Sequence, residues 1–219
     1  MEVVPHLVED EVFILLLVAR KKYGGLSRSE ESLYKTIVKK KEHLSQKIHQ
    51  ISLIAGTFRD SKTNNQIPIS SLAFYIDLAP KSTLKATNLF ITNILKYYRQ
   101  ATIDPNFNRA LFKKIDQMLF SAIHKSRSRS PYWVIDVDRK PYDLKWLCEY
   151  FGQALCWITE TRGGYHLIIE KGPDSGLKME ALKQKNPPEL EIFGRETMTI
   201  IPGTLQGGFK TTRWLPPNG

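Results

Sequence analysis

In the second half of the chain, short apolar runs and amphipathic segments follow one another in a regular order. This pattern limits the possible folds more than any other feature of the sequence. The apolar runs predict strands near 131–138, 154–160, 165–170, 189–193 and 197–201. Amphipathic spacing predicts helices near 142–151 and 175–184. The order β-α-β-β-α-β with a further hairpin is that of the split βαβ, or ferredoxin-like, arrangement. We therefore expect an antiparallel sheet with helices packed on one face.

The first half is predicted to be mostly helical. The apolar run VFILLLVA predicts a buried helix over about 8–22, and apolar residues spaced as on a helix predict a second one over about 29–54. SLAFYIDLAP predicts a strand at 71–80, followed by a helix capped at Ser82 or Thr83. Another helix is predicted at 107–123, before the basic connector KSRSRS. The expected chain is α+β, with a helical region at 1–68 and a core at 69–219 that divides into an α/β unit (69–124) and a sheet module (131–214).

Charge and apolar content limit the classes of function. The formal net charge of +10 favours polyanionic partners such as nucleic acid or nucleoside triphosphates. The longest apolar run is far shorter than the roughly 20 residues needed to cross a bilayer, and acidic residues precede it, so we expect neither a membrane span nor a signal peptide. Cys148 and Cys156 have no second pair beside them, which disfavours a zinc site or a disulfide framework. We expect a soluble intracellular protein, cytoplasmic or nuclear.

Two aspartates interrupt the apolar segment PYWVIDVDRK. Because side chains alternate faces along a strand, Asp136 and Asp138 lie on the same face. Two close carboxylates repel each other unless a cation compensates, which is why such pairs often hold Mg²⁺ or Mn²⁺. The alternative is a strand end at which the aspartates pair with Arg139 and Lys140.

A glycine turn followed by a histidine forms the second motif, in TETRGGYHLIIE. Gly163 and Gly164 predict a tight turn between two apolar strands, and His166 begins the returning strand. Backbone amides at such a turn, together with Arg162 and an imidazole, could hold a triphosphate. The alternative is a simple hairpin whose histidine is a surface or core residue.

The third motif is the segment PELEIFGRETMTIIPGTLQGGF. Strand alternation places Glu189 and Glu191 on one face before a turn at Gly194-Arg195. An exposed edge strand is the alternative interpretation. The later glycine turns at 202–203 and 207–208 could be plain turns, or could approach phosphate beside Lys210 and Arg213.

Taken together, the three motifs resemble those of the archaeo-eukaryotic primase superfamily, which includes primase-polymerases and the polymerase domains of bacterial end-joining ligases. Members carry a DxD or DxE strand, a glycine-containing turn that ends in His, and an acidic residue on a later strand. Asp136 and Asp138 match the first motif, His166 the second and Glu191 the third. The resemblance covers about 70–214, with Thr161 where the family usually has Ser, and without the zinc ligands of cellular primases. It therefore implies a minimal member, viral or plasmid-encoded in type.

The resemblance implies an RRM-like sheet packed against an N-terminal α/β unit, and a template-directed nucleotidyltransferase activity. Two divalent ions, Mg²⁺ or Mn²⁺, would be held by Asp136, Asp138 and Glu191. The implied triphosphate contacts are Arg162, Gly163, Gly164, His166, Lys210 and Arg213. The implied contacts to a single-stranded or primed DNA or RNA template are Lys39, Lys40, Lys41, Arg127 and Arg129. A helicase or another replication protein would act in trans.

Two other functions remain open from the sequence. One is a non-catalytic nucleic-acid-binding module, either an RRM-like platform or a degenerate primase relative serving as a replication accessory. Tyr132 and Trp133 lie near the position of the RRM stacking aromatics, but the consensus run of that family is absent. The other is a metal-dependent nuclease, which shares the carboxylates but does not account for the glycine turn with His166. The lysine run at 39–41 could equally be a solvated helix face.

Overall fold

A computed structural model describes residues 4–193 and 198–215. Within these ranges the chain is α+β, as predicted, with two antiparallel sheets and five α-helices. The helices are α1 (Leu44–Ile54), α2 (Thr83–Ile103), α3 (Ile115–Lys125), α4 (Lys145–Phe151) and α5 (Pro173–Lys185).

The first sheet has six strands from both halves of the chain. They are β1 (Glu11–Arg20), β2 (Glu30–Val38), β3 (Leu72–Ser82), β8 (Met198–Ile200), β9 (Leu205–Gln206) and β10 (Phe209–Lys210). Their order is β10-β9-β3-β1-β2, and β8 also pairs with β3. The ranges 1–68 and 69–219 therefore share one sheet, because β1 pairs with β3 along most of its length.

The predicted helix at 8–22 is wrong, since VFILLLVA forms the central strand β1. Alternate residues of this strand enter two different cores: Phe13, Leu15 and Leu17 enter one, whereas Ile14 and Leu16 enter the other. A strand that is buried on both faces gives a continuous apolar run, which periodicity alone does not distinguish from a buried helix. In the part of the chain that the structure describes, no helix is long and apolar enough to cross a membrane.

The predicted helix at 29–54 is also wrong over its first half. Residues 30–38 form the edge strand β2, and only α1 is helical, so the expected helical region at 1–68 contains two strands. Leu33 and Ile37 suggested one helix face, but they pack against different cores on opposite sides of the strand. The β1–β2 register skips Leu33, since Leu17 pairs with Tyr34 and Val18 pairs with Ser32, and this irregularity puts Leu33 and Ile37 on opposite sides although they are four residues apart.

The following strand and helix agree with prediction. β3 covers the expected segment, and the hydroxyl of Ser82 accepts a hydrogen bond from the Lys85 amide, so Ser82 is the N-cap of α2. The helix predicted at 107–123 is realised in part, because a 3-10 segment at 109–114 precedes α3.

The second sheet has five strands in the order β11-β5-β6-β4-β7. All its pairings are antiparallel, and α4 and α5 pack on one face through the core that contains Ile135, Val137 and Met179. The strands are β4 (Tyr132–Val137), β5 (Leu155–Glu160), β6 (Tyr165–Glu170), β7 (Leu190–Phe193) and β11 (Thr212–Trp214). The predicted β-α-β-β-α-β order is confirmed, whereas β8 belongs to the first sheet.

The other face of the second sheet packs against the first sheet. Val134, Trp157 and Ile168 share one core with Phe13 and Phe74. At the end of β4, where Val134 is succeeded on this face by Asp136, the two sheets separate enough to leave an open cleft. The packing of the sheets therefore positions the first predicted motif beside the first sheet.

An ion pair with a buried carboxylate connects the start of β1 to the segment that precedes β4. The carboxylate of Glu11, whose side chain is 1% exposed, accepts hydrogen bonds from the Arg129 guanidinium at 3.0 Å and from the Val8 amide at 3.1 Å. Although burial by itself raises the pKa of Glu11, hydrogen bonds from Arg129, Ser128 and Val8 lower it to about 2. Arg129, predicted to contact a template, therefore has a partner within the fold.

We expect Glu11→Gln to destabilise the fold by about 2 kcal/mol near neutral pH, allowing for the half-exposed Arg129 partner. The folded-state pKa of about 2 lies below the usual 4.5, so the stabilisation is complete above pH 4.5 and is lost as the pH falls towards 2. Urea unfolding of the parent and of Glu11→Gln should show that their free energies of unfolding converge as the pH falls from 4.5 towards 2. Glu149→Gln, which alters the exposed pair with Lys145, should change the free energy of unfolding very little. A constant difference between parent and variant would contradict this account.

Candidate functional site

Four of the predicted site residues lie in one row across the second sheet. The strand register pairs Asp136 with His166 on β6 and with Glu191 on β7. The same register pairs His166 with Thr159 on β5, and Thr159 with Arg213 on β11. Directly opposed residues of antiparallel strands share a face, and neighbouring strands are about 4.8 Å apart. Segments far apart in the sequence thus meet at Asp136.

The centre of this row opens into a cleft between the two sheets, with a volume of ≈ 240 Å³. Asp136, Asp138, Gly163 and His166 line it, as does Thr161. The first sheet and the loops beside it supply the opposite wall, which includes Leu16, Val18, Arg20, Lys22, Glu30, Tyr75, Met198 and Gln206. The first and second predicted motifs are therefore brought together in one concave site.

His166 is held from both sheets. Its Nε2 lies 3.3 Å from Oδ1 of Asp136, and its Nδ1 lies 3.0 Å from the hydroxyl of Thr199 on β8. Both His166 and Thr199 are buried. Two such contacts fix the plane of the imidazole ring and leave little freedom for rotation. Thr199 was missed by sequence reasoning, because its position beside His166 depends on β8 joining the first sheet.

The two aspartates do not form the strand-end ion pairs considered as an alternative. Arg139 lies 3.5 Å from Glu189, and Lys140 lies 2.7 Å from Glu160. Asp138 follows the last residue of β4 and is exposed, whereas Asp136 is half-buried beside His166. The carboxylates at the cleft are therefore not neutralised by the cations adjacent to them in sequence.

The acidic donors suit a hard divalent cation in type, because Mg²⁺ and Mn²⁺ prefer carboxylate oxygens. Glu191 is opposite Asp136 in register, but its side chain is exposed and does not line the cleft. Among the described residues, no three side chains of His, Cys, Asp or Glu are gathered into a group that could hold a metal ion. Binding of a cation by all three acids would require their side chains to turn towards one another.

Gly164 allows the glycine turn to pack closely against the end of β4. A Cβ atom at this position would lie 1.6 Å from the carbonyl oxygen of Val137, whereas a Cβ at Gly163 would meet nothing within 4 Å. The turn is closed by the Thr161 hydroxyl, which accepts a hydrogen bond from the Gly164 amide at 3.0 Å. Gly164 is therefore required for close approach of two backbones, and Gly163 leaves its backbone open to the cleft.

The side chain of Arg162 makes contacts that fix the glycine turn, and it is not among the described residues that line the cleft. Its guanidinium donates to the Gly207 carbonyl at 2.8 Å and lies 5.1 Å from the centre of the Tyr23 ring. The Arg162 backbone amide donates to Gln206 at 2.6 Å. These contacts join the glycine turn of the second sheet to the β9–β10 hairpin of the first.

Arg20 and Lys22 are the cations of the first sheet that line the cleft, and sequence reasoning missed both. Arg20 donates to Glu30 at 2.9 Å and to the Tyr75 hydroxyl at 3.0 Å. Burial alone would lower the pKa of Arg20, but Tyr75 and Glu30 raise it overall, so the guanidinium stays charged. Burial raises the pKa of Tyr75, which stays a neutral phenol. Because Glu30 also lines the cleft, the wall opposite Asp136 carries Arg20 and Lys22 against one carboxylate, an excess of one positive charge.

The remaining predicted contacts lie elsewhere. Lys210 is exposed on β10, and Arg213 lies at the sheet edge, 5.9 Å from the centre of the Trp157 ring. Neither is part of the cleft lining that the described residues form. Lys39, Lys40 and Lys41 are exposed between β2 and α1, and Arg127 lines a separate pocket beside α3. The predicted turn at Gly194-Arg195 falls outside the described residues.

No protein-family model, curated protein or solved structure matches this chain in comparisons of sequence and fold.

We expect Gly164→Ala to destabilise the fold by about 3 kcal/mol or more, because its methyl group would overlap the Val137 carbonyl and push the turn away from β4. Gly163→Ala, one residue earlier in the same turn, should change the free energy of unfolding by less than about 1 kcal/mol. Chemical denaturation of the two variants beside the parent measures both values. Equal effects of the two substitutions would show that the contact with Val137 is unimportant.

Proposed function

We propose that this protein is a template-directed nucleotidyltransferase of the primase-polymerase kind, which adds nucleotides from nucleoside triphosphates to a DNA or RNA 3′-hydroxyl. The observation that carries the proposal is the register that places His166 and Glu191 on either side of Asp136. Three motifs separated in the sequence lie on adjacent strands. The split βαβ topology itself places its first strand between the third and the fourth, so the support comes from the register, which sets His166 and Glu191 directly opposite Asp136.

The strand order of the second sheet supports an RRM-like module. β5, β6, β4 and β7 are neighbours in that order, and the two helices that connect them pack on a single face. This is the strand order of the split βαβ arrangement. The other face packs on the first sheet, in keeping with an N-terminal α/β unit that covers an RRM-like sheet.

Several residues of the cleft support binding of a triphosphate. Arg20 and Lys22 bring two cations to the cleft, and Gly163 exposes backbone there. Nδ1 of His166 contacts Thr199, and Nε2, which lies beside Asp136, can donate a hydrogen bond to a phosphate oxygen that takes the place of the Asp136 carboxylate. In this role Arg20 and Lys22 replace Lys210 and Arg213, which lie outside the cleft lining.

Asp136, Asp138 and Glu191 would hold the divalent cations, two of them by the resemblance. When bound, such cations neutralise charge on a triphosphate and activate a hydroxyl nucleophile. Asp136 is the central ligand of this set, since of the three acids it both lines the cleft and is paired in register with His166 and Glu191. Asp138 also lines the cleft, whereas the exposed side chain of Glu191 would have to turn towards it.

The template would be a single-stranded or primed nucleic acid held through its phosphates. The net charge of +10 and the exposed lysines at 39–41 support binding without sequence preference. A helicase or other replication protein in trans would supply the single strand.

The alternative of an RRM-like binding platform is less well supported. Such a platform stacks bases on aromatic residues of an open sheet face. Here the corresponding face is covered by the first sheet, with Trp157 buried and Tyr132 packed against the same core. Trp133, on the opposite face, has the lysines Lys171 and Lys183 over its ring at 4.3 and 4.5 Å.

We expect purified protein with Mg²⁺ or Mn²⁺ to incorporate labelled nucleotides on a primed or bare single-stranded template. Asp136→Asn should reduce the rate by about a hundredfold or more, because the central carboxylate of the site is lost. Asp174→Asn, which removes an exposed carboxylate on α5, is the matched control and should retain the parent rate. Both variants should unfold at the same denaturant concentration as the parent.

Absence of incorporation by the parent with either metal, together with absence of triphosphate binding, would overturn the proposed function. A protein that binds single strands equally well with and without metal and triphosphate would instead be a binding module. Degradation of the template in place of extension would identify a nuclease.

A further inference from the structure

A second pocket lies on the other side of Met198, whose side chain lines both it and the cleft. This rear pocket has a volume of ≈ 680 Å³ and lies between β3 and the last turn of α3. Its polar lining consists of Asp77, Lys81, Ser121, His124, Lys125 and Arg127. None of these residues belongs to the three motifs at the cleft.

Backbone pairing builds the cationic wall of the rear pocket. After α3 the chain runs beside the end of β3, where the Ser82 amide donates to Ser126 at 2.8 Å and the Ser128 amide donates to Pro80 at 2.9 Å. The bridge between Lys81 and Arg127 places these two residues directly opposite each other. Their side chains therefore share a face, and both line the rear pocket.

Lys81 is a buried cation that already has one partner. It is 2% exposed, and its Nζ lies 2.7 Å from Oδ2 of Asp77. Asp77 is also tied to the backbone, because its Oδ1 accepts a hydrogen bond from the Ala79 amide at 2.9 Å. The Lys81–Asp77 pair is therefore a fixed part of the pocket lining, and its two charges cancel.

Further positive charge surrounds this neutral pair. The lining has three cations, Lys81, Lys125 and Arg127, against one carboxylate, Asp77, so two positive charges are in excess before His124 is counted. Nε of Arg127 is buried and has no hydrogen-bond partner among the described residues. A buried donor without a partner is costly, and an acceptor that reached Nε would satisfy it.

We propose that the rear pocket binds a phosphate monoester, such as the terminal phosphate of a nucleic-acid strand. A phosphomonoester carries about −1.5 to −2 charge at neutral pH, which matches the excess of two cations. Arginine and lysine donors with a serine hydroxyl are the groups that recognise phosphate. The volume of ≈ 680 Å³ also falls within the range of about 300 to 1,000 Å³ typical of ligand pockets.

A phosphate bound in the rear pocket would lie next to the cleft, with Met198 between the two sites. The site requires none of the acids at the cleft, and binding there does not depend on metal. The inference therefore goes beyond nucleotidyl transfer and stands even if the protein lacks that activity.

The test compares binding of two fluorescent pentathymidylates, one with a 5′-phosphate and one with a 5′-hydroxyl, in the absence of divalent metal. We expect the phosphorylated strand to bind about tenfold tighter or more, the effect of one good charge-assisted contact. Lys125→Gln and Arg127→Gln should each remove most of this advantage. Lys114→Gln, which alters an exposed lysine outside the pocket lining, should preserve it. Lys81 is left unchanged, because it is the ion-pair partner of the buried Asp77 and its loss would destabilise the fold.

Inorganic phosphate distinguishes the sources of the ligand. If it raises the melting temperature of the parent but not of Arg127→Gln, and cancels the advantage of the phosphorylated strand, the pocket recognises the phosphate group alone. Equal affinity for the two strands, with no effect of inorganic phosphate on the parent, would overturn the proposal. An advantage that survives in both Lys125→Gln and Arg127→Gln would also overturn it, because the phosphate would then be bound elsewhere.

Discussion

The close approach of the glycine turn to the end of β4 is the contact on which the site depends. Gly164 lies so near the Val137 carbonyl that no side chain fits between them. This contact holds the β5–β6 turn over the end of β4, where Asp136 and Asp138 leave the strand. The register of β4 with β6 then places His166 opposite Asp136. A shift of one residue would turn each of these side chains to the helical face of the sheet.

The first sheet supplies the remaining residues of the site. Thr199 orients His166 across the gap between the sheets, and Arg20 and Lys22 bring positive charge to the side opposite Asp136. Arg162 and Gln206 tie the glycine turn to the β9–β10 hairpin, so the two sheets cannot move apart without breaking hydrogen bonds. The cleft thus places Asp136 and Asp138 of the second sheet opposite Arg20 and Lys22, with Glu30 beside Arg20. The proposed ligand is a nucleotide with its charge-neutralising metal.

The sequence predicted the second sheet well because its signals are local. The strand alternation around Asp136 and the tight turn at Gly163-Gly164 depend only on neighbouring residues. β1 was mistaken for a helix because burial on both faces removes the alternation by which a strand is recognised. Arg20, Lys22 and Thr199 were missed for a related reason, because the position of each beside the site depends on the pairing of β1, β3 and β8 in the first sheet. Glu191 was predicted to lie on a strand and lies on β7, while the conformation of its exposed side chain is not set by any pattern in the sequence.

The central claim is that the row around Asp136 binds a metal-bound triphosphate, and paramagnetic broadening of backbone amide signals tests it most directly. Low concentrations of Mn²⁺ with ATP should first broaden the NMR signals of residues 136–138, 163–166 and 191. The same addition to Asp136→Asn should leave those signals sharp. Broadening centred on another acidic surface, such as the first turn of α5, or equal broadening in the variant would contradict the account.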